Sequence, residues 1–121
     1  MPHFIVEYAN NLPEDALAID RLLSALCQTA VDTKLFPETG LRARAYRADA
    51  QRVAGSDPSA AFVHVAMNVG KGRDIEARRA AGESIFNTLK AHMAPLMNSR
   101  TVLLSFEMRE IDDVKFNFKN T

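Results

Sequence analysis

The chain has 121 residues, 47% of them hydrophobic, and its 15 basic side chains balance 15 acidic ones. This size is typical of one globular domain, and the lack of net charge argues against binding nucleic acid or acidic membranes. One cysteine cannot form an internal disulfide, and the sequence has no export signal and no run of 18 apolar residues. We therefore expect a single cytoplasmic domain over residues 1–121.

The first half of the chain predicts a strand, a helix and a second strand. His3–Tyr8 is rich in aromatic and β-branched residues, which favour a strand. Apolar residues recur at helical spacing over residues 14–33, which predicts one continuous helix with Cys27 as a buried structural thiol. Residues 41–47 alternate small or apolar side chains with arginines or an aromatic, a pattern typical of a half-exposed strand. Residues 48–58 are expected to connect the two halves, with one helical turn.

The second half repeats this order. Residues 60–69 form the longest apolar run and predict a strand, and residues 101–108 predict another. Between them, residues 74–97 predict a helix with apolar positions Ile75, Ala80, Ile85, Phe86, Leu89, Met93 and Leu96. Residues 114–119 form a short amphipathic tail that is able to add a strand elsewhere.

Together these elements predict a tandem βαβ repeat over residues of about 2–48 and 59–109, followed by a tail at 110–121. Because βαβ connections are right-handed, both helices should cover one face of a four-stranded sheet, which gives an α+β two-layer fold. The other face would be bare. We expect its apolar alternation to be buried against other subunits.

Pro2 is the first candidate for chemistry. If Met1 is removed, Pro2 carries a free secondary amine at the start of an apolar strand. Burial beside cationic groups lowers the pKa of such an amine, which would suit it as a general base. Proline at position two is also common in unrelated proteins, where it has no catalytic role.

Arginines supply the second set of candidates. Arg42 and Arg44 share one face of the second strand. Their charges either protect an exposed sheet edge or, in the case of Arg42, offer the paired N–H donors of a guanidinium to a carboxylate. Residues 70–73, which read Gly-Lys-Gly-Arg before a helix, form either a flexible turn or a small-anion site. They lack the pattern of a nucleotide phosphate loop.

The other polar residues give weaker signals. The three histidines are dispersed, so metal ligation is unsupported, and His64 is expected to be a core or interface residue. Glu7 and Glu107 stand at strand ends, either as structural residues or as a secondary acid.

Combined, these motifs resemble the tautomerase superfamily and, within it, the 5-carboxymethyl-2-hydroxymuconate isomerases. The resemblance covers nearly the whole chain and rests on residues 2–7, 36–37, 40–44, 61–64, 70–73, 104–107 and 117–119. It implies a homotrimeric, cofactor-free isomerase in the breakdown of homoprotocatechuate, the ring-cleavage route from 4-hydroxyphenylacetate. It also assigns the base to Pro2 and the substrate-binding arginines to Arg42 and Arg73, with Phe36, Phe116 and Phe118 walling the pocket.

By the same resemblance, Pro2 relays a proton from the 2-hydroxyl of the dienol to carbon five, which yields the 2-oxo-3-ene product. Arg42 and Arg73 hold carboxylates and stabilise the developing dienolate. Two alternatives remain open: a tautomerase-fold trimer acting on another enol or keto acid, and a trimeric binding protein without catalysis.

Overall fold

The computed structural model describes residues 1–121, which form two successive strand-helix-strand units. The elements are β1 (His3–Tyr8), α1 (Glu14–Leu17), α2 (Ile19–Asp32), β2 (Arg42–Arg47), β3 (Ala61–Val69), α3 (Ile75–Met97) and β4 (Val102–Glu110). The strand bounds agree with the sequence pattern to within two residues. No helix is long and apolar enough to cross a membrane.

The strands form one four-stranded sheet in the order β2-β1-β3-β4. Each βαβ unit contributes a parallel pair, β1 with β2 and β3 with β4, and β1 and β3 run antiparallel in the middle. The predicted two-layer α+β fold is confirmed. In the register, His3 lies opposite both Arg42 and Asn68. The beginnings of β1 and β2 therefore meet the ends of β3 and β4 at one end of the sheet.

The core fills the space between one sheet face and the helices. Alternate residues of β1, Phe4 and Val6, are fully buried, and so are alternate residues along β3. In α3 the buried positions are Ala81, Ile85, Leu89, Met93 and Leu96. Two of the apolar positions used to predict this helix are not in the core, because Ile75 is 50% exposed and Ala80 also faces solvent. The four-residue spacing of the buried stripe selects Ala81 instead.

The predicted continuous first helix is interrupted at Ala18. This residue adopts left-handed dihedrals (φ 46°, ψ 61°) and separates α1 from α2. The carbonyl of Leu17 lies 2.6 Å from Nε2 of His92 in α3, which donates to it. In an unbroken helix that carbonyl would accept an N–H four residues later, so the tertiary hydrogen bond replaces a helical one. Helical periodicity carries no information about such a partner.

The connection between the two halves contains turns but no helix, which corrects the predicted helical turn. Side chains hold it to the end of β1. The backbone N–H of Asn10 donates to Oε1 of Gln51 at 2.6 Å, and the side-chain Nδ2 of Asn10 donates to the carbonyl of Ala48 at 3.1 Å. The second bond satisfies the Ala48 carbonyl, a backbone group that a helical turn would have paired internally.

The sheet face away from the helices, called the open face below, is more polar than predicted. It alternates apolar residues such as Ile5 and Phe62 with charged and hydrogen-bonding ones. On β3 and β4, His64 Nδ1 lies 2.6 Å from Ser105 Oγ, and Arg109 donates to Glu107 at 2.9 Å. The expected apolar alternation of this face is therefore corrected, because many of its positions carry polar side chains, and its burial against other subunits stays a prediction.

Candidate active site

Pro2 and Arg42 are joined by the first hydrogen bond of the parallel pair β1–β2. Pro2 is buried immediately before β1, and the backbone N–H of Arg42 donates to the Pro2 carbonyl at 3.2 Å. The two residues are far apart in sequence, and only the strand register brings them together. The Pro2 nitrogen, the predicted base, thus lies beside the start of the arginine-bearing strand.

The side chain of Met1 lies between Gly40 and Arg42. Met1 Sδ is 3.5 Å from Nη2 of Arg42, and a Cβ added to Gly40 would come within 2.6 Å of the same sulphur. Gly40 has a φ of +88°, a conformation that glycine adopts without strain. Met1 therefore fills the space between Gly40 and the Arg42 guanidinium, directly before Pro2. The sequence counted Gly40 among the residues of the family resemblance but gave it no role in the site.

Arg73 is held by two backbone carbonyls and an aromatic ring. Its Nε donates to Leu35 and its Nη1 to Gly70, each at 3.0 Å. The guanidinium also lies 4.9 Å from the ring centre of Phe36, whose side chain is 5% exposed. No carboxylate pairs with Arg73. Its orientation is fixed, its charge remains uncompensated, and Nη2 has no protein partner.

His3 and Arg44 form a second contact at this end of the sheet. Arg44 Nη1 lies 3.2 Å from His3 Nδ1 on the open face. Burial, followed by the charges of Arg42, Arg44 and the terminal amine, lowers the pKa of His3 below its ordinary value of 6.5. Because a guanidinium can only donate, Nδ1 accepts and the imidazole is neutral with its proton on Nε2.

The two phenylalanines of the tail lie in solvent within a single chain. Phe116 is 94% exposed and Phe118 is 90% exposed, and neither lines any cavity of the chain. An ion pair of 3.4 Å between Lys71 and Asp113 holds the beginning of the tail near the turn that carries Arg73. Pocket-forming roles for the two phenylalanines remain predictions.

Arg47 and Cys27 lie apart from this end. Arg47 donates to the Asn10 carbonyl at the opposite end of β2. Cys27 is half-buried, and desolvation raises the pKa of its thiol, as expected for an unreactive cysteine. No group of three or more histidine, cysteine, aspartate or glutamate side chains is arranged to hold a metal ion.

The most prominent groove lies elsewhere, between α3 and β4. It has a volume of about 400 Å³ and is lined by Ile75, Arg78, Arg79, Gly82, Glu83, Phe86, Phe106 and Met108. None of the predicted site residues borders it. We place the candidate site at the strand ends, because unpaired guanidiniums and the buried proline meet there.

The fold defines the class of protein. The chain is similar to a fused 4-OT described as a wild-type symmetric trimer, with 23% identity, a TM-score of 0.67 and coverage of 98% of this chain and 92% of that one. A similarity at this identity establishes the fold alone: a tautomerase-like arrangement of two βαβ units around one mixed sheet.

The chain belongs to the 5-carboxymethyl-2-hydroxymuconate isomerase family, whose profile matches residues 2–121. It is 40% identical over 119 residues to the 5-carboxymethyl-2-hydroxymuconate Delta-isomerase of Escherichia coli, covering 98% of this chain and 93% of the relative. It is also similar to the crystal structure of a 5-carboxymethyl-2-hydroxymuconate isomerase from Deinococcus radiodurans R1, with 37% identity, a TM-score of 0.89 and coverage of 99% and 90%. The family predicted from the sequence motifs is confirmed, and so is the prediction that the chain is an isomerase.

Proposed function

We propose that the chain, after removal of Met1, isomerises 5-carboxymethyl-2-hydroxymuconate without a cofactor. The observation that carries this proposal is the meeting of Pro2, Arg42 and the turn bearing Arg73 at one end of the sheet, in a member of this family. A buried secondary amine beside uncompensated guanidiniums suits proton transfer in an anionic substrate.

Pro2 acts as the base that carries the proton. Its amine accepts the proton of the 2-hydroxyl, and the electron pair released from oxygen forms the 2-oxo group. The double bonds shift from positions 2 and 4 to position 3, and carbon five takes the proton back from the prolinium. The proton count is unchanged over the cycle, and no oxidant or further reactant is consumed.

Arg42 and Arg73 bind the substrate from two sides. Removal of Met1 uncovers the guanidinium of Arg42 next to Pro2. Arg73 is held in place by the carbonyls of Leu35 and Gly70, so little conformational entropy is lost when it binds an anion. Their charges stabilise the dienolate, whose negative charge spreads from the oxygen to carbon five.

We also propose that the working form is a homotrimer. The exposed phenylalanines of the tail, Phe116 and Phe118, support contacts beyond a single chain, since large apolar side chains are rarely this exposed without a partner. In such an assembly they are candidates to wall a neighbouring pocket, together with Phe36. Native mass spectrometry of the purified chain tests the trimer directly.

The cellular role that this reaction implies is the breakdown of homoprotocatechuate, formed on the route from 4-hydroxyphenylacetate. The single cysteine suits a reducing compartment, and we propose a cytoplasmic location. Growth on 4-hydroxyphenylacetate after deletion of the gene, with and without complementation, tests this role.

The reaction is tested by following the ultraviolet absorbance of 5-carboxymethyl-2-hydroxymuconate. Protein whose N-terminus is shown by mass spectrometry to be Pro2 is compared with the variants Pro2→Ala, Arg42→Ala and Arg73→Ala. We expect each variant to lose at least about 100-fold in kcat/KM, the scale typical of removing a general base or a charge-stabilising donor.

Arg52→Ala is a matched control, because Arg52 is exposed and has no hydrogen-bond or ion-pair partner in the chain. Its activity should equal that of the unmodified protein. Undiminished turnover by processed Pro2→Ala would rule out the proposed base, and absence of turnover by processed wild-type protein would rule out the reaction itself.

A further inference from the structure

Arg42 and Arg44 present two uncompensated charges on the same face of β2. Residues two apart in a strand are separated by roughly 6.6 Å, and their side chains point the same way. Neither guanidinium has a carboxylate within ion-pair distance, whereas Arg78, Arg79 and Arg109 each do. Two like charges at this spacing repel one another, which favours binding of anions between or above them.

Arg44 is directed toward Pro2 by its contact with His3. In the strand register Arg44 lies opposite Ile5, one step beyond the pair formed by His3 and Arg42. Its Nη1 nevertheless reaches back to His3 Nδ1 at 3.2 Å. The guanidinium therefore points along the open face toward the beginning of both strands, where Pro2 and Arg42 lie.

His3 orients Arg44 without neutralising it. A carboxylate at this position would form an ion pair and cancel the charge of the guanidinium. A neutral imidazole instead accepts one N–H and leaves the remaining N–H groups of Arg44 and the full positive charge for a ligand. The imidazole stays neutral because it is partly buried and flanked by cations, which lower its pKa.

We propose that Arg44, oriented by His3, binds the carboxymethyl carboxylate of the substrate and makes the site selective for the tricarboxylate. This inference rests on the proposed function. Carbon five of the substrate carries both the C6 carboxylate and the carboxymethyl group. Two of the three carboxylates of the substrate are therefore neighbours. The neighbouring guanidiniums of Arg42 and Arg44 match that pair, and Arg73 is left for the carboxylate at C1.

The test compares two substrates that differ only in the carboxymethyl group, 5-carboxymethyl-2-hydroxymuconate and 2-hydroxymuconate. Processed Arg44→Gln is expected to raise KM for the tricarboxylate by about 10- to 100-fold, the loss typical of one charged hydrogen-bonded contact, and to leave kcat nearly unchanged. KM for the dicarboxylate should change by less than about twofold, because the contact is absent in both proteins.

Arg44→Lys and Arg52→Gln serve as companion variants. Lysine keeps the charge but lacks the paired N–H donors of the guanidinium. For the tricarboxylate we therefore expect a KM between those of the wild-type protein and Arg44→Gln. Arg52→Gln removes an exposed charge away from the site and should behave as wild type. If Arg44→Gln does not fold, as judged by circular dichroism, the ratio of the two KM values for Arg44→Lys decides.

An equal loss on both substrates, or a fall in kcat at constant KM, would overturn the assignment of Arg44. If the proposed function itself is wrong, the wild-type protein will turn over neither substrate, which distinguishes this outcome from failure of the Arg44 assignment. In that case calorimetry with propane-1,2,3-tricarboxylate and glutarate, a matched tri- and dicarboxylate, decides. Selective loss of tricarboxylate binding in Arg44→Gln supports the site, and equal affinities in the two proteins refute it.

Discussion

Nη2 of Arg42 lies 3.5 Å from Sδ of Met1, so the first residue of the chain occupies the space beside the arginine that is proposed to bind substrate. The same residue acylates the Pro2 nitrogen and makes it a planar, non-basic amide. Met1 thus blocks both the base and the binding space. Removal of Met1 therefore meets two requirements of the proposed reaction, a basic Pro2 amine and free space beside Arg42.

Protein that retains Met1 is therefore expected to be inactive. Production in a host lacking methionine aminopeptidase activity should lower kcat/KM by at least about 100-fold, the contribution of a general base. Mass spectrometry reports the fraction of processed chains, and activity should rise in proportion to that fraction when the aminopeptidase is added. Full activity in chains that all carry Met1 would contradict the role of the Pro2 amine.

Gly40→Ala should impair binding as well as stability. At a φ of +88° an added Cβ is strained, at a cost of about 1 to 2 kcal/mol in the free energy of unfolding. In processed protein the methyl group also enters the space beside Arg42, so KM should rise several-fold. Gly55→Ala is the control, since Gly55 has a φ of +76° and no atom within 4 Å of an added Cβ. Equal KM values for the two variants would argue against this space as the binding site.

Phe36→Leu should loosen Arg73 while largely keeping the core filled. The substitution removes a cation–π contact of 4.9 Å, worth about 0.5 to 2 kcal/mol, and should raise KM up to tenfold. Phe86→Leu removes a similar contact, with Lys90 at 5.3 Å, in the groove between α3 and β4 that none of the site residues borders. It should leave KM unchanged. Steady-state kinetics and urea unfolding of both variants separate the effect on binding from the effect on stability.

His92→Leu should destabilise the fold without changing the chemistry. Nε2 of His92 donates to the Leu17 carbonyl at the break between α1 and α2. Removing the donor leaves a carbonyl without its partner, and we expect the free energy of unfolding to fall by about 1 to 3 kcal/mol. Urea denaturation measures this loss, and His92→Gln, which keeps a donor, should recover part of it. A stability equal to wild type in His92→Leu would refute the account of the helix break.

Stability should fall as the pH drops below the ordinary pKa of histidine. Burial, Arg42, Arg44 and the terminal amine lower the pKa of His3 in the folded chain, so the unfolded chain binds this proton first. Below the unfolded value of about 6.5, protonation therefore favours unfolding until the pH passes the folded pKa. Thermal melts from pH 8 to pH 5 should show a smaller decline for His3→Gln than for wild type, and identical pH dependence would contradict the prediction.

Local sequence patterns predicted the elements well where side-chain chemistry alone decides. β-Branched and aromatic residues placed β1 at its observed bounds, and the apolar period placed α3 to within one residue. The same reasoning missed the break at Ala18, because the decisive partner, His92, comes from another helix. It also overestimated how apolar the open face is, since strand alternation was inferred without the cross-strand partners of the polar residues.

For the candidate site, the sequence by itself determined the residue types: a proline at position two, arginines on the second strand and a glycine-flanked arginine before the last helix. The family followed from their combination. Only the tertiary structure decided which of these groups meet, because the register of β1 with β2 and β3 joins residues that lie dozens of positions apart. The cradle of Arg73, the contact of His3 with Arg44 and the position of Met1 beside Gly40 all depend on that register, and a linear pattern does not encode it.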